Sequence, residues 1–337
     1  MTPVELSRTV LRAVRRAVDV GELSVSVPVS AGVSPPGPGG RGDYATNVAL
    51  RLAGPAGLPA LEVAEILRSH IGDDPGVADV TVTGPGFLNI TLGGGAAAAL
   101  VDEVLTQGAR YGYGDALAGQ VVELRVPYDT RAEVVADTLV RIVATQGGRA
   151  EVLHAEPVNL RPVPAPEDPA PLGADAARWA LLHPASHDGS RISADHLLQR
   201  ESNPLFRVRY AHSRTRALRR NAAALGIVGR PGNDVQLFDA GDEDGADRPR
   251  TGTDLLTALA EYPHVLRLAA THRAPDRLAR HLVVVADALL LFQHLVLPLG
   301  DEKPSAAHRA RLALAEAAGT VLAGGLSLLG ISAPEYL

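Results

Sequence analysis
The spacing of apolar side chains divides the chain into three regions. PVELSRTVLRAVRRAVDV (residues 3–20) places apolar residues one helical turn apart and predicts an amphipathic helix. LSVSVPV (23–29) alternates apolar and polar and predicts a short strand. DYATNVALRLA (43–53) and PALEVAEILRSHI (59–71) return to helical spacing. VADVTVTG (77–84) and GFLNITL (86–92) flank Pro85-Gly86 and predict a hairpin. A second region follows a different rhythm. VVELRV (121–126), RAEVVADTLVRIVATQG (131–147) and RAEVLHA (149–155) read as strand, helix and strand. The third region is helical, over about 174–183, 193–200, 204–224, 253–261, 263–272, 275–297 and 304–329.

The predicted fold class is therefore an α+β N-terminal domain, a short βαβ unit and a C-terminal all-α bundle. The expected boundaries are 1–114, 115–157 and 173–337. PVNLRPVPAPEDPAPLG, with six prolines, supplies an extended linker over 158–172. GRPGNDVQLFDAGDEDGADRPRTG (229–252) interrupts the helices, is acidic and Gly-rich, and is expected to be disordered; the loop 226–252 is expected to be mobile and dispensable for folding.

Composition narrows the chemistry. No cysteine is present, so a disulfide framework and thiolate metal sites are excluded. Neither a metal site nor a cofactor site is expected. No apolar run reads as long and uninterrupted enough to span a bilayer, because Asp287 and His294 interrupt HLVVVADALLLFQHLVLPLG (281–300). The N-terminus lacks the apolar core of a signal peptide, and a cytoplasmic protein is expected. The net charge is −6, yet SNPLFRVRYAHSRTRALRR (202–220) holds six arginines and no acid. Arginine has replaced lysine almost throughout, Lys303 being the only lysine.

The motifs carry a resemblance. GDYATNVAL followed by GPGFLNITL resembles the N-terminal tRNA-binding domain of arginyl-tRNA synthetases. GADAARWALL, NPLFRVRYAHSR and LLGISAPEYL resemble the helical anticodon-binding domain of the same family. That domain takes its name from a D-A-L-R motif, here Asp175-Ala176-Ala177-Arg178. The order of these motifs agrees across both terminal regions, over about three quarters of the chain. The middle departs from the family. Its catalytic domain carries a His-x-Gly-His motif and a lysine-containing K-M-S-K-S-like loop. Here VVELRVPYDTRAEVVADTL begins like the first strand, the histidine loop is reduced to PYDTR, and no lysine falls in a nucleotide loop, so the βαβ unit resembles a remnant of that nucleotide-binding fold. Charge developing on the α-phosphate and pyrophosphate needs positive or hydrogen-donating groups. The expectation is accordingly a truncated, non-catalytic paralogue that binds tRNA, of the arginine class, in a regulatory or delivery role.

The resemblance also implies contacts. Phe87 and Asn89 would read the tRNA D-loop, the ring by stacking and the amide by pairing with a base edge. Tyr210 and Arg214, at i, i+4 spacing on one helix face, would meet the anticodon loop. Leu337 stands where the family ends in a methionine packed on an anticodon base. Arg207, Arg216, Arg219 and Arg220 would contact phosphates. His212 reads as a packed or capping residue. Two other readings stay open: a protein-interaction module whose acidic stretch 234–247 shields the arginines, and a subunit of an enzyme that uses arginyl-tRNA. Partners are thus tRNA or a protein, not a membrane.

Overall fold
The computed structural model describes residues 3–34, 36, 42–93, 95–232 and 251–337. Most of the Pro/Gly-rich stretch between Ser34 and Asp43, and the acidic stretch 234–247, lie outside the described residues. The chain forms two compact units, residues 1–100 and 101–337.

The first unit is an antiparallel sheet packed against helices. Its helices are α1 (Pro3–Asp19), α2 (Val48–Ala56) and α3 (Ala60–Gly72). Its strands are β1 (Val33–Ser34), β2 (Tyr44–Thr46), β3 (Val77–Thr83) and β4 (Phe87–Leu92), in the order β1-β2-β4-β3. Leu6, Val10, Ala13, Val14 and Ala17 repeat at helical period along α1 and are all buried. They meet Val63, Leu67 and Ile71 of α3 and Leu88 and Ile90 of β4 in one core. The predicted hairpin is present, with Thr83 opposite Phe87 and Val80 opposite Ile90. Gly86 in its turn has φ 134° and lies so close to Ala60 that a Cβ would strike the Ala60 carbonyl, which only glycine tolerates.

Two local readings are corrected. Tyr44–Thr46, expected at the start of a helix, is a strand, because it finds a ladder partner in β4 (Tyr44 opposite Ile90). Residues 23–29, expected as a strand, have no ladder. Their alternation is a burial pattern: Leu23, Val25 and Val27 pack on the core while Ser24 and Ser26 face out.

The second unit begins at Val101, so the expected boundary at 114 moves forward; α4 (Ala96–Gln107) runs across the division. The predicted βαβ unit is β5 (Val121–Arg125), α5 (Thr130–Thr145) and β6 (Arg149–Leu153), with the strands parallel and Val121 opposite Arg149. Five of the long helices follow: α6 (Gly173–Leu182), α7 (Pro204–Ala224), α8 (Thr251–Thr271), α9 (Pro275–Phe292) and α10 (Ala306–Leu329). The helix expected over 193–200 is only a short 3-10 turn, Ala194–Leu197. α9 and α10 have the length and apolar content of membrane-crossing helices, contrary to the sequence reading, but α10 is 72% buried within the protein. It serves as the core helix of the bundle.

The proline-rich segment is not a free linker. Asn159 lies alongside β5: its side-chain oxygen accepts from the Arg125 N–H (2.8 Å) and its amide donates to the Glu123 carbonyl (3.1 Å). Val163 N–H donates to the Ser186 carbonyl. Arg131, fully buried in the first turn of α5, closes this arrangement. Its Nε donates to the Leu181 carbonyl, its Nη1 to Val163 and Asp188, and its Nη2 to Pro184 and Ala185, at 2.7–3.0 Å. All five N–H donors of the guanidinium are used.

α8 runs unbroken through Pro263, where two helices were expected. A proline in a helix deprives the carbonyl four residues earlier of its donor. That carbonyl, Leu259, accepts instead from the Tyr111 hydroxyl (3.0 Å). The neighbouring Ala258 carbonyl accepts from Nε2 of buried His281 (2.9 Å). Tertiary partners thus satisfy the backbone around Pro263, and the helix continues.

Arg131→Met leaves five carbonyls without their donor and should destabilise the second unit by at least about 3 kcal/mol, read as a lowered midpoint in denaturant unfolding; an unchanged midpoint would remove Arg131 from this role. Burial pushes the His281 imidazole down to about 4, against about 6.5 in an unfolded chain. Between these values the unfolded state binds a proton that the folded state refuses, so stability falls as pH drops from about 6.5 to about 4, by a limit of about 3 kcal/mol. His281→Gln should make the unfolding midpoint less sensitive to pH across that window, and an unaltered pH profile would refute the assignment.

Candidate nucleic-acid interface on the arginine-rich helix
α7 is started by Asn203, whose side chain accepts from the Leu205 N–H (3.1 Å), with Pro204 in the first turn. The Asn203 amide also donates to the His196 and Leu198 carbonyls, fixing the turn that precedes the helix. Leu205, Val208, Ala211, His212, Thr215, Leu218 and Ala222 face the core. That leaves the arginines on the remaining faces.

The segment contains no acid, but the fold brings acids to it. Arg207 pairs with Asp287 of α9 at 3.0 Å. Burial raises the Asp287 pKa above its ordinary value even with Arg207 beside it. Arg209 lies 3.5 Å from Asp175 of α6 and donates to Ser332. Arg214 donates from Nε to the Gln293 side chain (2.8 Å). Arg216 pairs with Glu335 at 3.0 Å. Arg220 places its guanidinium 4.4 Å from the centre of the Tyr336 ring, a cation–π contact. Arg219 and Arg220 are exposed at the end of the helix. Tyr210 is half-buried and stacks on Phe206, with ring centres 5.4 Å apart and planes 17° apart.

Much of this pairing comes from the last residues of the chain. α10 ends at Gly330, whose φ of 71° lets the Gly330 and Ile331 N–H groups turn back onto Ser327 and Leu326. The carbonyls at that helix end accept from arginines: Leu329 from Arg178 (2.9 Å) and Leu328 from Arg141 (2.8 Å). Asp175 accepts from the Ser332 N–H (3.0 Å) and from its hydroxyl. His212 donates from Nδ1 to the Pro334 carbonyl (2.9 Å), and burial lowers its pKa. Asp175 and Arg178 therefore hold the chain end against α7, a role the sequence reading did not assign them. Their i, i+3 spacing, which puts both on one side of α6, was the available signal. Leu337 is half exposed and lines a cleft of about 350 Å³ with Phe206, Arg209, Asp175 and His196.

In the first unit, Phe87 is 41% exposed at the start of β4, so its ring is available to stack. Asn89 is 3% exposed, and its amide donates to the Thr83 hydroxyl (2.7 Å). The two residues expected to read RNA together thus differ: the ring faces out and the amide is committed within the sheet. Among the described residues no group of three His, Asp or Glu side chains is placed to hold a metal.

Comparison with known proteins follows this division. Residues 5–92 match the arginyl tRNA synthetase N terminal domain, and residues 208–337 match the DALR anticodon binding domain. The chain is 41% identical over 160 residues to an arginine–tRNA ligase of Renibacterium salmoninarum; that match covers 44% of this chain and 29% of the relative. It is 26% identical to an arginine–tRNA ligase of Paenarthrobacter aurescens in an alignment of 559 positions that takes in the whole of both. With 337 residues here, a large part of that relative has no counterpart. Arginyl-tRNA synthetase of Thermus thermophilus has the same fold over the full length of both chains, with a TM-score of 0.67 at 13% identity. The Plasmodium falciparum arginyl-tRNA synthetase matches over 99% of each chain, with a TM-score of 0.66 at 9% identity.

These relatives overturn the expectation that the chain is not an enzyme: those it matches in sequence are named as ligases, an enzyme family. The expectation rested on the absence of two short motifs. Developing phosphate charge can be met by any well-placed donors, so missing motifs do not by themselves exclude the chemistry. With an N-terminal domain at one end and an anticodon-binding domain at the other, this chain belongs to the arginyl-tRNA synthetase family.

Proposed function
We propose that the chain binds tRNA, with arginine isoacceptors as the preferred class, in a delivery or regulatory role. The observation that carries this reading is the position of α7, which from Val208 onward lies within the region matching the anticodon-binding domain. It presents a stacked aromatic pair, Phe206 and Tyr210, beside a row of arginines. An aromatic face of this kind accepts an unstacked base, and a guanidinium accepts phosphate oxygens. In the first unit, exposed Phe87 is the second point of contact.

A second reading, an interface for a protein partner, draws on a specific observation. Asp287, Asp175 and Glu335 already accompany three of the arginines. That reduces the positive field that α7 offers to a polyanion.

Incubation with total tRNA, followed by sequencing of what is retained, should show enrichment of arginine isoacceptors. Binding should weaken with salt, because each neutralised phosphate releases counterions. Arg214→Ala or Arg220→Ala should flatten the salt slope by about one unit. Tyr210→Ala should cost roughly 1–3 kcal/mol if a base stacks there, with the slope unchanged. If the wild-type protein shows no salt-dependent tRNA binding at low ionic strength, the tRNA reading fails. If tRNA binds and none of the three substitutions alters it, α7 is not the RNA face and the protein-partner reading gains.

A further inference from the structure
A groove of about 640 Å³ lies at the corner between α8 and α9, bounded on its far side by Ala185, Ser186 and His187. We infer that this groove binds the phosphodiester backbone of an RNA strand through Arg273, Arg277 and Arg280. The inference rests on the tRNA-binding reading and adds to it a surface apart from the Tyr210 face.

The charges around the groove are unequal in their commitments. Arg280 stands between two carboxylates, Asp188 at 3.7 Å and Asp276 at 3.8 Å. Among the described residues, no ion pair ties Arg273 or Arg277 to an acid. His187 and His272 lie on the same lining. Arg277 and Arg280 are three residues apart on α9, so they share a face. The groove thus retains two uncommitted guanidiniums beside a third that is already balanced.

Its walls are held before any ligand arrives. The stretch that carries Ala185, Ser186 and His187 is fixed by Arg131, which donates to the Pro184, Ala185 and Asp188 carbonyls. At the corner, the Ala274 N–H donates to the Ala269 carbonyl (3.0 Å), and Arg273 has φ 54°. The corner therefore presents Arg273 from a defined turn, not from a loose loop. Preorganised groups lose little freedom on binding. Guanidiniums match phosphate oxygens in pairs.

The exposure of these arginines favours a strand over a small anion. Arg277 and Arg280 are exposed. A single phosphate ion at exposed arginines gains little against water and salt. A strand crossing the groove gains most at uncommitted Arg273 and Arg277 and releases counterions along its length.

The test uses the full chain and tRNA, with Arg273→Asn and Arg277→Ala introduced singly and together; asparagine is chosen because it tolerates positive φ. Circular dichroism and thermal unfolding report whether the fold is kept. The double variant should bind tRNA several-fold more weakly at low salt, with a salt slope lower by about two units, and inorganic phosphate at millimolar concentration should not compete beyond its ionic-strength effect. The inference is overturned if wild-type protein binds tRNA and the folded double variant has the same slope. It is equally overturned if inorganic phosphate displaces tRNA from wild type but not from the variant, which would mark a small-anion pocket. If wild-type protein binds no tRNA at any salt concentration, the underlying tRNA reading fails, and the groove inference with it.

Discussion
One buried guanidinium organises the larger unit. Arg131 has left water entirely, and the cost of that transfer lowers its pKa. A buried charge is tolerated only when its hydrogen bonds are complete. Here five carbonyls from residues 163 to 188 take its five N–H donors. Asp129, Asp188 and Asp276 add favourable charge nearby. The consequence is architectural. The segment after β6 and the loop after α6 converge on this one cation, which ties both to the first turn of α5.

The middle of α5 repeats the device in a more open setting. Asp137 receives Arg141 and Arg178, and those two arginines also cap the last carbonyls of α10. Cations at a helix C-terminus meet its unsatisfied carbonyls and its dipole. The strand–helix–strand piece therefore acts as a brace for the helical bundle: α5 holds the loop after α6 through its first turn and the end of α10 through its middle.

That brace decides how α7 presents its arginines. The residues after Gly330 are led across the helix, where Glu335 meets Arg216 and Tyr336 lies under Arg220. The Arg216–Glu335 pair is exposed on both sides, and pairs of this kind contribute about 0–1 kcal/mol. A phosphate can take the place of such a carboxylate at little cost. Arg207 and Arg209 are more enclosed. They serve the packing of α7 first, so the free end of the helix, at Arg219 and Arg220, is the more accessible to a polyanion.

The sequence by itself determined what short-range periodicity can determine. The long helices, the hairpin about Pro85-Gly86 and the parallel βαβ unit were legible because their burial repeats at helix or strand period. The family was legible because its motifs are contiguous words of sequence. Tertiary structure decided the rest. Tyr44–Thr46 became a strand only because β4 lies beside it. α8 passes Pro263 only because Tyr111, far away in sequence, supplies the missing donor. The Arg-rich segment read as unopposed because its acids come from α6, α9 and the chain end. Asn89 read as a recognition group, and its amide is bonded to Thr83 across the hairpin, which the sequence did not show. In each case the deciding partner is remote along the chain or across a fold in it, and local pattern carries no information about which donor will meet which acceptor once the core has closed.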